Sequence, residues 1–140
     1  MMKVNLNRRP SVVLADRSGP VLRVISQIVN LQFDVIKVAR DGLTAIDAVL
    51  KLRPDVLVLD LVLPHLDGFQ VVRRLTNLKS RSRFVVLTDL EDAEYIDAAM
   101  AVGANAFVFK RRAAEDLLHA IAAVLAERTF VSAKPSQSGQ

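Results

Sequence analysis

Four residues far apart in the chain, Asp16, Asp60, Thr88 and Lys110, could act together if the fold delivers them to one place. Each ends or follows a short apolar run: Asp16 after SVVLA, Asp60 after VLVL, Thr88 after FVVL and Lys110 after AFVF. Two carboxylates, a hydroxyl and an ammonium suit phosphoryl chemistry. An aspartate beside a divalent cation can attack phosphorus, because the metal neutralises charge on the incoming phosphoryl oxygens. Magnesium prefers oxygen ligands and keeps several waters, so one or two carboxylates plus phosphate are enough. Lysine adds a point charge toward a phosphoryl oxygen, and a threonine hydroxyl can donate to another. The product carries more negative charge than the Asp60 carboxylate, so a cation and a donor nearby favour it.

The elements that must position these residues alternate along the chain. Ser11–Ala15, Asp34–Ala39, Val56–Leu59, Phe84–Leu87 and Ala106–Phe109 are short runs rich in β-branched and apolar residues. Those without polar alternation suit strands buried on both faces. Between them lie segments with helical spacing. Val21–Leu31, Leu43–Leu52, Gly68–Leu78, Ala93–Val102 and Ala113–Leu125 each place apolar residues on one side at a period near 3.6. Pro54 and Gly103 stop the second and fourth helices. Pro64 and Asp67-Gly68 mark the loop before the third, with Asp67 as its cap. Strict alternation predicts an α/β fold: a doubly wound, five-stranded parallel sheet with five helices on its two faces. In the flavodoxin-like order 2-1-3-4-5, ligands bind beyond the carboxyl ends of the strands. That edge is where Asp16, Asp60, Thr88 and Lys110 fall.

The stretch PDVLVLDLVLPHLDGFQVVRRL, Pro54 to Leu75, resembles the phosphoacceptor region of response-regulator receiver domains. Pro64 and Gly68 stand four and eight residues after Asp60, as in that family's pattern. GANAFVFK, Gly103 to Lys110, is similar to the family's fifth strand and its lysine, and FVVLTD to its fourth strand and switch hydroxyl. The resemblance spans about residues 10 to 128. It implies that Asp60 is the phosphoacceptor, Thr88 the switch hydroxyl, Lys110 the phosphate-contacting cation and Phe107 the switch aromatic. It implies Mg²⁺ as the cofactor, held by Asp16, Asp60 and the backbone carbonyl of Val62. The implied donor is a sensor histidine kinase or a phosphotransfer protein, and a homodimer is one assembly the resemblance allows. Residues 1–9 are then an N-terminal extension, 10–128 the receiver domain, and 129–140 a polar, disordered tail.

Three positions depart from the family pattern. The family has two adjacent acids after the first strand, whereas this chain has Asp16 followed by Arg17. Asp16 aligns with the first acid, or with the second if Ala15 replaces the first. Either way one carboxylate is missing and magnesium binding is weakened. An inward-turned Arg17 would partly replace the cation or pair with Asp60. Arg111 stands where the family has a proline, so a trans peptide is expected there. Asp89 stands where a small residue is usual. Val62 and Leu90 are apolar and cannot orient a hydrolytic water, so an acquired phosphoryl group would be lost slowly.

These departures motivate an alternative, a pseudo-receiver that binds proteins without phosphorylation. An enzyme is not expected. An aspartyl-phosphate hydrolase would want an acid at Val62, and a flavodoxin would want more Ser, Thr and Gly than Asp16–Pro20 provides. The chain has no cysteine, so disulfides and thiolate chemistry are excluded and a cytoplasmic location is expected. No uncharged apolar run approaches the ~18 residues of a membrane span. The net charge of +4 is dispersed, and one tyrosine with no tryptophan offers no stacking platform. Direct nucleic-acid binding is not expected of this domain. LAERTFVS, Leu125 to Ser132, resembles the exit from receivers that continue into a helix-turn-helix domain.

Overall fold

The computed structural model describes residues 8–133. Its elements are β1 (Ser11–Ala15), α1 (Gly19–Val29), β2 (Asp34–Ala39), α2 (Gly42–Leu52), β3 (Val56–Leu59), α3 (Gly68–Asn77), β4 (Arg83–Thr88), α4 (Ala93–Val102), β5 (Ala106–Phe109), a 3₁₀ turn (Lys110–Arg112), α5 (Ala113–Leu125) and β6 (Phe130–Val131). All strand pairings are parallel, in the order β2-β1-β3-β4-β5-β6. The expected order therefore holds for five strands, and a sixth is added outside β5.

Side chains alternate across the sheet with the strand period of two. Val13, Leu57, Leu59, Val86 and Phe107 pack with the helices α2, α3 and α4. Val12, Leu14, Val58, Val85 and Val108 pack with α1 and α5. Because both faces are covered, the central strands are apolar throughout, which is why they lack a polar alternation. β2 lies at the edge and is mostly exposed, and its sequence alternates more.

Local chemistry sets the helix ends. Ser18 caps α1 by accepting from the Val21 amide at 3.2 Å, so the helix begins at Gly19, earlier than its apolar stripe. Asp67 caps α3 by accepting from Gln70. After α2, Arg53 takes a left-handed conformation before Pro54 ends the helix. Among the described residues, no helix is long and apolar enough to cross a membrane.

The expected disordered tail is corrected at its start. Phe130 and Val131 pair with Ala106 and Phe107. The physical reason is polar. Ser132, only 4% exposed, donates through its hydroxyl to Asp116 at 2.8 Å and accepts from the Phe109 amide at 3.1 Å. Arg112 hydrogen-bonds to Asp116 and draws that carboxyl below the ordinary carboxylate range; burial opposes this and Ser132 assists it. With its pKa depressed, the Asp116 carboxylate stabilises the fold above the ordinary carboxylate value, and this is lost as pH falls through the lower folded value. Residues 1–7 and 134–140, the rest of the expected extension and tail, lie outside the described residues.

Candidate functional site

Strand register creates the site. Ala15 lies opposite Leu59, and the ladder runs one step further, with Asp60 N donating to Ala15 O at 3.0 Å and Asp16 N to Ala39 O at 3.0 Å. Asp16 and Asp60 therefore leave adjacent strands side by side. On the other flank Thr88 lies opposite Phe109, which sets Lys110 one residue beyond Thr88. Neighbouring strands are ~4.8 Å apart, so a side chain from β5 must cross β4 to reach β3 and β1. Only a long stem can do this, and lysine has one.

The Lys110 ammonium lies 2.8 Å from Asp60 Oδ2 and 2.8 Å from Asp16 Oδ2. The three side chains are 17%, 5% and 6% exposed. Burial pulls the Lys110 ammonium down, but its hydrogen bonds to Asp16 and Asp60, and their charges, outweigh this and raise its pKa above the ordinary lysine value. Its stabilising effect is complete below that ordinary value and is lost as pH rises through the higher folded one. The remaining carboxylate oxygens are also engaged. Asp60 Oδ1 accepts from the Val62 amide at 3.2 Å, and Asp16 Oδ1 from the Ser18 amide at 2.9 Å.

Thr88 is fully buried, and its hydroxyl accepts from the Leu90 amide in its own loop at 3.4 Å. Phe107 is fully buried in the core, edge-to-face with Phe109 at 6.1 Å. Val62 is 40% exposed beside the site.

The loop after Asp60 explains Pro64 and Gly68. The Pro64 carbonyl accepts from the amides of Leu66 and Gly42, which ties the loop to the start of α2. Gly68 donates to Leu61 O at 2.9 Å, and a Cβ on Gly68 would collide with the Asp60 carbonyl oxygen and Leu61 Cα. Backbone cannot yield as a side chain would. Gly68→Ala is therefore expected to cost about 2–3 kcal/mol and to shift the Asp60 amide resonance, as urea titration and NMR would show.

Arg17 does not turn inward. Its side chain is exposed, while its carbonyl accepts from Arg40 Nε at 3.2 Å and Nη2 at 2.8 Å. With the Arg17 carbonyl clamped and Ser18 tied to Asp16, residue 17 points to solvent, and the cation against Asp60 is Lys110. Asp89 is likewise exposed. Arg111 follows Lys110 through a trans peptide. It forms two hydrogen bonds to Glu91, at 2.7 and 2.9 Å, and sits 5.4 Å from the Phe109 ring centroid. It thus bridges the loops after β4 and β5. Neither this link nor the Arg112–Asp116–Ser132 cluster is expected from the sequence. Only the four-residue spacing of Arg112 and Asp116 hints at a pair. His65 and His119 are exposed and apart from the site.

The Asp16 and Asp60 carboxylates are oxygen donors of the kind magnesium takes. Among the described residues, no group of three or more acidic, histidine or cysteine side chains converges. The donor set fits a magnesium ion that keeps several waters.

The sequence matches the family described as "Response regulator receiver domain" over residues 12–122. It is 32% identical over 130 residues to the oxygen regulatory protein NreC of Staphylococcus epidermidis, covering 91% of this chain and 60% of that one. It is 40% identical over 102 residues to protein-glutamate methylesterase/protein-glutamine glutaminase 5 of Myxococcus xanthus, covering 71% of this chain and 29% of that one. The chain thus spans three-fifths or less of these curated relatives. The isolated receiver domain of RcsB from Salmonella enterica serovar Typhimurium, solved with phosphomimetic BeF₃⁻, superposes with a TM-score of 0.81 at 24% identity, over 89% of this chain and 94% of that one. At that identity the likeness shows the fold.

Proposed function

Because the chain belongs to the response regulator receiver domain family of two-component systems, we propose that it accepts a phosphoryl group on Asp60 and switches a protein-binding face in response. The observation that carries this is the convergence of Asp16, Asp60 and Lys110 at the strand ends. A carboxylate at a strand end, with a cation at hydrogen-bond distance, is poised as a nucleophile.

The donor is a phosphohistidine on a sensor histidine kinase or a phosphotransfer protein. An Asp60 carboxylate oxygen attacks phosphorus, the new P–O bond forms as the P–N bond breaks, and the imidazole leaves with the electron pair. Lys110 releases Asp60 and follows the negative charge onto a phosphoryl oxygen while keeping Asp16 as its second partner. The Thr88 hydroxyl turns from the Leu90 amide to donate to another phosphoryl oxygen, and Phe107, which touches the Phe109 opposite Thr88, responds in the core. Asp16, Asp60 and the Val62 carbonyl would hold a magnesium ion, which would supply further positive charge to the phosphoryl oxygens. Neither Val62 nor Leu90 can orient a hydrolytic water, so the phosphoryl group is long-lived.

The test is backbone NMR with magnesium and beryllofluoride. Shifts at Asp60 and Thr88 are expected, and an unchanged spectrum at millimolar magnesium would sink the proposal. Arg17→Asp is expected to tighten magnesium binding roughly threefold or more, since it changes the nearby charge by two even from a solvent-facing position. Unchanged affinity in a magnesium titration would show that residue 17 does not bear on the metal.

A second reading follows from Lys110 itself. It already pairs with both carboxylates at 2.8 Å, so each has a cationic partner without metal or phosphate. This supports a pseudo-receiver that binds its partner in a single state. Partner affinity unaffected by beryllofluoride would favour it.

A further inference from the structure

After α5 the chain turns back and lays Phe130–Ser132 along the outer edge of β5. Little apolar area holds it there, since Phe130 is only partly buried and Val131 is 43% exposed. The hold is polar and concentrated at Ser132. The Ser132 amide donates to Phe107 O at 2.8 Å. Its hydroxyl donates to Asp116 and accepts from the Phe109 amide, while Arg112 braces Asp116 at 3.0 and 3.2 Å. A buried network of this kind is all-or-none: loss of one hydroxyl leaves the Asp116 carboxylate and the Phe109 amide both short of a partner.

Two of these bonds end on Phe107 and Phe109, whose rings touch edge to face. Phe107 also lies opposite Val86 of β4. A shift of the β5 backbone at Phe107 therefore moves the acceptor of Ser132, and release of Ser132 frees the β5 backbone. An opened β5 edge presents unpaired N–H and C=O groups, a template for another strand.

We propose that Phe130–Ser132 is a displaceable strap that closes the β5 edge, latched by Ser132 to Asp116, and that its closure is coupled to the position of Phe107. This holds whether or not Asp60 takes a phosphoryl group.

Ser132→Ala removes the latch, and Ser132→Thr keeps a hydroxyl. The readouts are amide hydrogen exchange at position 132 and at Phe109, trypsin cleavage after Arg128, and the ring resonances of Phe107. In Ser132→Ala, exchange at both positions and cleavage after Arg128 are expected to rise about tenfold. The Phe107 ring signals should shift, and amides of β3 should stay protected. Ser132→Thr should stay near the parent chain. Exchange unchanged in Ser132→Ala would overturn the latch. A released strap with unmoved Phe107 signals would overturn the coupling. If Ser132→Ala unfolds, Asp116→Asn, which keeps the side-chain shape, is read by the same measurements and against the same two outcomes.

Discussion

Lys110→Met is expected to lower the stability of the domain by about 3–4 kcal/mol, the usual cost of removing one partner from a buried ion pair. The Lys110 ammonium is shared by Asp16 and Asp60, each at 2.8 Å and each almost fully buried. Methionine keeps most of the stem volume, so packing changes little. What remains is two buried carboxylates facing one another, of which one must take a proton or admit water. The midpoint of a urea titration at constant slope measures the loss. Acidification should partly restore the variant, because protonating either aspartate removes the repulsion. Asp60→Asn combined with Lys110→Met should recover most of the stability. A double variant no better than Lys110→Met alone would trace the cost to packing and not to charge.

Asp60→Asn is expected to reduce phosphoryl uptake from acetyl phosphate to background, measured by intact-protein mass. The side-chain amide oxygen can still accept from the Val62 amide, so the loop keeps its anchor. It is not a nucleophile at neutral pH, so the chemistry stops. Thr88→Ala should still take up the phosphoryl group, because its hydroxyl enters only after transfer, but the change at Phe107 should be lost. Uptake persisting in Asp60→Asn would move the acceptor to another carboxylate, with Asp16 and Asp89 the first to examine.

The fold is legible in the sequence because each apolar run and stripe agrees with the same architecture. VLVL before Asp60 and AFVF before Lys110 are buried on both faces, and they read that way. The meeting of Asp16 and Asp60 is legible for the same reason, since parallel strands present their ends on one edge. The direction of Arg17 is not. It depends on Arg40, which clamps the Arg17 carbonyl from the end of β2, and that contact spans 23 residues. The strap is hidden because Phe130–Val131 is too short to carry a period. Its stability comes from Ser132 and Asp116, two polar residues whose burial no local pattern announces.

The parallel direction of β6 has a consequence for anything attached beyond it. α5 descends to the pole opposite Asp60, and a chain leaving from its end would depart there. β6 climbs again by roughly 3.3 Å per residue and delivers Ser132 alongside Phe109, one residue below Lys110. A reporter joined at Ala133 therefore starts at the Asp60 pole of the sheet, rooted in a strand and not hanging from a helix. A fluorophore at that position should tumble with the domain while the edge is closed and swing freely once it opens, turning a two-residue strand into an optical gauge of the receiver's state.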